Sequence, residues 1–156
     1  MFTPSFTASA YSVEQGFRNK AKMVALGTAA QPLLGIINHR GKALSLCQGP
    51  LYPEDMQALL LAMQDWLATT GLTPYDIKAR SGELKYLRLN RNEQGDYILR
   101  LVLRSTTQIP LIQTALPTLL PNHTQILAVS ANIQPVTMAV FEGPEEHLLA
   151  GEPWLR

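Results

Sequence analysis

Three basic residues alternate along one short stretch of this sequence. Arg18, Lys20 and Lys22 are each separated by a single residue, and Asn19 and Ala21 lie between them. If the stretch is a strand, its side chains alternate between the two faces, so the three cations share one face. Such a row can neutralise consecutive phosphates of a nucleic acid and release their counterions. A half-exposed strand with a solvated basic face explains the same pattern equally well.

The other reactive side chains form no pattern typical of catalysis. The three histidines lie far apart and lack the short spacings of metal ligands. Cys47 has no evident activating base, and no glycine-rich phosphate loop occurs. Glu142, Glu145 and Glu146 could be imagined as an acid/base pair, but we interpret them as a solvated acidic turn.

Composition indicates one soluble domain. The chain has 156 residues, of which 46% are hydrophobic and 16% charged, and its net charge is only +1. Nucleic-acid binding would therefore depend on local clusters of cations. The single cysteine excludes an internal disulfide and suits a reducing compartment. Since neither a signal peptide nor a membrane span is evident, we expect a cytoplasmic protein without a membrane partner, with residues 1–12 as a flexible segment.

The elements that must position the basic row follow from periodicity. Alternating or continuous apolar runs predict strands at residues 17–26, 32–38, 43–46, 84–90, 97–104 and 126–133. Helical spacing predicts a helix from Pro53 to about Gly71, and a second one capped by Thr107 that bends or ends at Pro117. The expected fold is α+β in the order β-β-β-α-β-β-α-β, a mainly antiparallel sheet with two helices packed on one face. Beyond Gly143 the pattern is weak.

Several short blocks, kept in order and at similar spacing, resemble the bacterial 23S rRNA (uracil-5-)-methyltransferases. They are residues 14–23 (EQGFRNKAKM), 32–35 (PLLG), 50–53 (PLYP), 71–75 (GLTPY), 82–86 (GELKY), 101–105 (LVLRS) and 132–136 (NIQPV). The subgroup that the sequence resembles most methylates a uridine in a hairpin loop of domain II.

This resemblance implies that residues 13–156 form one central domain that binds the RNA substrate. It also implies a 23S rRNA hairpin and a C-terminal methyltransferase domain as partners, and S-adenosylmethionine as the cofactor of that second domain. The family's cofactor loop and its catalytic Ser-Cys-Asn motif have no counterpart here, whereas residues 152–156 resemble the last strand before the catalytic domain. We therefore expect no cofactor in this chain, and no methyl transfer by the chain alone.

Members of the family commonly carry an iron–sulfur cluster, and this sequence departs from that pattern. The position before Pro50, where the family has a cysteine, is Gly49, and residues 1–12 contain no cysteine. Cys47 could supply one ligand, whereas a cubane cluster needs four thiolates. No cluster is expected.

Carried over residue by residue, the resemblance implies RNA contacts at Arg18, Asn19, Lys20 and Lys22, with weaker candidates at Lys85, Asn132 and Gln134. Asn132 and Gln134 are also explained as caps of a strand end before Pro135. Tyr86 could stack on a loop base, but core packing also explains it. Two further classes stay open: a self-contained enzyme with an unrecognised site, and a scaffold or dimerisation module whose basic row serves solubility.

Overall fold

The computed structural model describes residues 20–37, 43–45, 53–76, 78–136 and 142–151, with only the backbone at 36–37 and 43–45. The elements in chain order are β1 (Lys20–Gly27), β2 (Pro32–Ile37), β3 (Ala43–Ser45), α1 (Glu54–Thr70), β4 (Leu84–Arg91), β5 (Tyr97–Leu103), α2 (Ile109–Leu119), a short 3-10 helix (Leu120–Asn122), β6 (Ile126–Ile133) and β7 (Glu145–Gly151). The predicted order is confirmed, with one strand added at the end.

The strands form one sheet in the order β3-β2-β1-β4-β5-β6-β7. Every neighbouring pair is antiparallel except β5 and β6, which are parallel. A parallel pair needs a long crossover connection, and α2 lies in that connection. The expected α+β class with a mainly antiparallel sheet is confirmed.

Helix α1 follows the predicted apolar stripe. Its buried residues are Met56, Leu59, Leu60, Met63, Trp66, Leu67 and Thr70. Pro53 precedes the helix as its N-cap residue instead of occupying the first turn, and Gly71 ends it in the left-handed conformation, at φ 82°. The Gln64 side-chain oxygen accepts a hydrogen bond from the Leu34 amide at 2.9 Å, which ties α1 to β2.

The boundaries of α2 correct two predictions. The residue before its first turn is Gln108, not Thr107, and it makes no side-chain capping bond. Pro117 lies inside the helix, which continues to Leu119. Pro117 has no N–H to donate to the Gln113 carbonyl, yet the helix continues for two residues beyond it and passes directly into the 3-10 helix. The Trp66 indole N–H donates to the Ala115 carbonyl at 3.0 Å and joins the two helices.

One face of the sheet is apolar and lies under both helices. Ala21, Met23, Leu87, Leu99 and Val129 belong to a single hydrophobic core with the buried residues of α1 and α2. The opposite face, here called the helix-free face, carries Lys20, Lys22, Val24, Tyr86, Arg88, Arg100, Val102, Ser130 and Asn132 according to strand register. Among the described residues, neither helix packs against it.

The last strand corrects the prediction for the acidic residues. Glu145 and Glu146 begin β7, which pairs with β6 at the edge of the sheet, so they are not part of a solvated turn. The strand has the sequence EEHLLAG and lacks an alternating apolar pattern. Hydrogen bonding to the buried strand β6 therefore decides its structure. Residues 152–156, expected to form a strand, lie outside the described part.

None of the helices in the described residues is both long enough and apolar enough to cross a membrane.

Candidate nucleic-acid interface

Strand β1 presents its two lysines to solvent. Lys20 and Lys22 are exposed, whereas Ala21, Met23 and Ala25 are fully buried. The alternation that the sequence predicts is therefore confirmed from residue 20 onward. Arg18 and Asn19, the other two members of the predicted basic block, lie outside the described residues.

Strand register extends the basic surface across the sheet. Lys22 lies opposite Arg88 on β4, and Arg88 lies opposite Arg100 on β5. Neighbouring strands are about 4.8 Å apart, so three cations occupy adjacent positions on one face. Like charges that are directly opposite each other destabilise a sheet. This row, called the cross-strand row, therefore calls for a counter-charge.

Glu142 supplies that counter-charge. One of its carboxylate oxygens accepts from Arg88 Nη1 at 2.5 Å, and the other accepts from Arg100 Nη1 at 2.8 Å. Glu146 binds Arg100 Nε at 2.9 Å. The side chains of the two arginines are still about one-third exposed, at 33% and 35%. The carboxylate of Glu142 thus bridges two guanidinium groups at the solvent boundary.

Asn132 holds the segment that carries Glu142. Its side chain accepts from the Gly143 amide at 2.7 Å and donates to the Gly143 carbonyl at 2.9 Å and to Glu146 at 2.8 Å. A Cβ atom at position 143 would lie 1.8 Å from the Ile133 carbonyl oxygen, so the close approach requires glycine. Asn132, only 3% exposed, is therefore a structural clamp.

The same hydrogen bonds affect Glu146. Burial alone would raise its pKa, but hydrogen bonds from Ser130 and Asn132 and the charge of Arg100 outweigh burial and hold the pKa below its usual value. Glu146 is therefore an anion at neutral pH, and it contributes a second negative charge beside the cross-strand row.

Lys85 and Gln134 meet inside the protein. Lys85 is 1% exposed, and its ammonium donates to the Gln134 side-chain oxygen at 2.5 Å and to the Val136 carbonyl. It also lies 4.9 Å from the centre of the Tyr75 ring. Burial, reinforced by the charge of Arg104 and opposed by Glu83, lowers the pKa of Lys85. This contact joins the start of β4 to the chain that follows β6.

Tyr86 lies beneath the basic row. It is 1% exposed, and the Lys22 ammonium covers its ring at 4.4 Å from the centre. Burial, followed by the nearby Glu142, raises the pKa of Tyr86 to about 12. The phenol is therefore neutral at physiological pH, and its ring is buried on the helix-free face beneath Lys22, outside the hydrophobic core under the helices.

The predicted contact residues therefore divide into two groups. Lys20 and Lys22 share an exposed surface, whereas Lys85, Asn132 and Gln134 are buried and bound to other parts of the chain. RNA contact by any of them stays a prediction. Sequence reasoning missed Arg88 as the neighbour of Lys22 and Glu142 as the partner of Arg88, although Arg88 stands between Leu87 and Leu89 in an alternating pattern that pointed to it.

Within the described ranges, no group of three or more histidine, cysteine, aspartate or glutamate side chains is arranged to hold a metal ion. Cys47, the single cysteine, lies outside those ranges.

Comparison with known proteins confirms the resemblance to the 23S rRNA (uracil-5-)-methyltransferases. The chain is 50% identical over 137 residues to the 23S rRNA (uracil(747)-C(5))-methyltransferase RlmC of Shewanella loihica, which covers 87% of this chain and 36% of that protein. Over 143 residues it is 48% identical to RlmC of Shewanella pealeana, and this match covers 91% of this chain and 38% of that protein. The chain thus spans little more than a third of these relatives. No family model matches.

A solved structure shares the fold. The tRNA (uracil-54, C5)-methyltransferase of Pyrococcus abyssi, determined in complex with S-adenosyl-L-homocysteine, superposes with a TM-score of 0.67 at 13% identity. The match covers 92% of this chain and 33% of that one. At this level of identity the match establishes the fold alone.

Proposed function

We propose that this chain is the part of a 23S rRNA (uracil(747)-C(5))-methyltransferase that binds the RNA substrate. Its sequence matches a little over a third of the length of such enzymes. One observation carries the proposal. Lys20 and Lys22 are exposed together on the helix-free face, in the part of β1 that pairs with β4. Pairing with β4 keeps the two cations at fixed spacing, which suits a repeating phosphate backbone.

In this proposal residues 13–156 act as one domain, and a separate C-terminal domain of the longer enzyme supplies the catalytic cysteine and binds S-adenosylmethionine. The substrate is a hairpin of 23S rRNA in the cytoplasm. The helix-free face binds the phosphate backbone of the hairpin, and the loop bases reach the catalytic domain. Splayed loop bases are the usual target of sequence-specific RNA recognition.

Fluorescence anisotropy with a labelled 23S rRNA hairpin at low salt tests the proposal. The double variant K20A/K22A should bind about tenfold more weakly than the wild-type chain, because two phosphates are no longer neutralised. K78A is the control for the loss of a single exposed lysine, because Lys78 is exposed in a turn outside the sheet. Adding R18A extends the test to the predicted residue outside the described part.

Equal affinity of K20A/K22A and the wild-type chain would contradict the proposal. A stable dimer whose interface buries Lys20 and Lys22 would favour the scaffold instead, and light scattering on the same samples detects it.

A further inference from the structure

We propose that Arg88 and Arg100 form a phosphate-binding pair within the RNA-binding surface, and that Glu142 occupies this pair when RNA is absent. The inference rests on the proposed function and adds two contact residues and a built-in competitor to it. It follows from three observations: the bridging carboxylate, the separate clamp on its backbone, and the continuity of the pair with Lys22.

The first observation is the shape of the contact. Two guanidinium groups each donate through Nη1 to a different oxygen of one carboxylate, at 2.5 and 2.8 Å. A backbone phosphate also presents two anionic oxygens, and planar guanidinium groups bind it by the same hydrogen bonds. Glu142 thus stands where a phosphate oxygen pair can bind.

The second observation is that the segment around Glu142 does not depend on the arginines for its position. Asn132 binds both backbone polar groups of Gly143, at 2.7 and 2.9 Å. Loss of the ion pairs therefore leaves this segment attached to β6. The side chains of Arg88 and Arg100 are 33% and 35% exposed and that of Glu142 is 22% exposed, so a phosphate can reach the guanidinium groups from solvent and compete with the carboxylate.

The third observation is position. Arg88 and Arg100 continue the row that begins at Lys22, on the same face and in the interior of the sheet. A phosphate backbone that contacts the lysines of β1 and crosses the strands meets the two arginines next. When it displaces Glu142, the surface binds a further phosphate and exposes a carboxylate that repels poorly placed phosphates.

The test is RNA affinity as a function of salt for the 156-residue chain, with the same labelled hairpin. E142Q should bind about three- to fivefold more tightly than wild type, the range expected for release of a partly exposed ion pair. R88Q/R100Q should bind more weakly, and the slope of log affinity against log salt should fall by about 0.7 to 0.9 for each phosphate that is no longer neutralised. In the R88Q/R100Q background, E142Q should give no gain.

The matched control is D65N, which makes the same change in net charge at an exposed position of α1, on the other side of the sheet. An equal gain in D65N would show a general charge effect and overturn the inference. If circular dichroism shows that E142Q does not fold, E146Q takes its place. E146Q removes the negative charge that pairs with Arg100 and should give a smaller gain in RNA affinity than that expected for E142Q. No gain in E146Q would then overturn the inference.

The two proposals fail in different ways. If K20A/K22A loses affinity while E142Q binds like wild type or more weakly, the arginine pair is purely structural and the RNA-binding function stands. If neither the wild-type chain nor E142Q binds the hairpin at low salt, both proposals are overturned.

Discussion

Two regions of the sheet carry the same kinds of residue in opposite settings. At the open end, which is the start of β1, Lys20 and Lys22 are exposed, and the Lys22 ammonium also contacts the Tyr86 ring. At the closed end, which is the start of β4 and the end of β6, Lys85, Asn132 and Gln134 are at most 3% exposed, and their polar atoms bind the chain itself. All five matched the family's blocks, yet only the two at the open end are placed where a large ligand can reach them. Residue type and motif therefore indicate the surface, whereas register and burial decide which members share it.

The largest expected effect concerns Asn132 at the closed end. N132A should lower the free energy of unfolding by about 2–3 kcal/mol, because the Gly143 amide and carbonyl lose their partner beside a buried strand. Urea denaturation measures the change. N122A is the matched control, since Asn122 is exposed and its side chain donates to the nearby Thr118 carbonyl near the end of α2. Equal stability of N132A and wild type would contradict the clamp.

The second-largest effect is expected at Lys85. K85M should lower the free energy of unfolding by about 1–2 kcal/mol, because the Gln134 oxygen and the Val136 carbonyl lose a charged donor while the apolar stem of the side chain is retained. Urea denaturation again measures this, with K78A as the exposed-lysine control. RNA affinity of the folded K85M protein should equal that of wild type. A tenfold loss of affinity at full stability would place Lys85 in the interface and break the comparison between the two ends.

The smallest effect concerns pH. The pKa of Glu146 is held below its ordinary value of 4.5, so the folded state binds fewer protons there than the unfolded chain. Its stabilising contribution is therefore fully present above about pH 4.5 and is lost as the pH falls through the lower, folded-state pKa. Because Glu146 is about one-third exposed, solvent screening keeps this contribution below about 1 kcal/mol.

Thermal unfolding between pH 3 and 7 tests this dependence. E146Q should unfold at a slightly lower temperature than wild type at pH 7, and the two should converge at the acidic end. A constant difference at every pH would show that the contribution of Glu146 does not depend on its charge.

Much of the fold could be predicted from the sequence because it is encoded locally. The helix predicted from Pro53 to about Gly71 is found as α1, the strands predicted at residues 84–90 and 97–104 form the β4–β5 hairpin, and β6 has its predicted bounds. The prediction of the ends of α2 was less accurate. Thr107 is a better capping residue by type than Gln108, yet it lies outside the helix. Strand β7 was missed, because its pairing with β6 decides its structure and its own composition does not.

The site was predictable only in part, because only some of its features are encoded by residues that are neighbours in the sequence. Alternation along β1 predicts the exposed lysines, since it depends on neighbours in sequence. The cross-strand row depends on β4 lying beside β1, although Lys22 and Arg88 are 66 positions apart in the sequence. Glu142 comes from a third segment, 54 positions after Arg88 and 42 after Arg100. Burial of Lys85 and Asn132 likewise follows from tertiary packing, which residue types alone do not specify.

The most direct test of the central claim is a map of chemical-shift changes on titrating the chain with the 23S rRNA hairpin, observed by amide and side-chain NMR. We predict that the shifts concentrate at Lys20, Lys22 and their neighbours Arg88 and Arg100 on the helix-free face. The side-chain amides of Asn132 and Gln134 and the outer surfaces of α1 and α2 should change little. Shifts concentrated on the helices, or at the closed end without β1, would contradict the account.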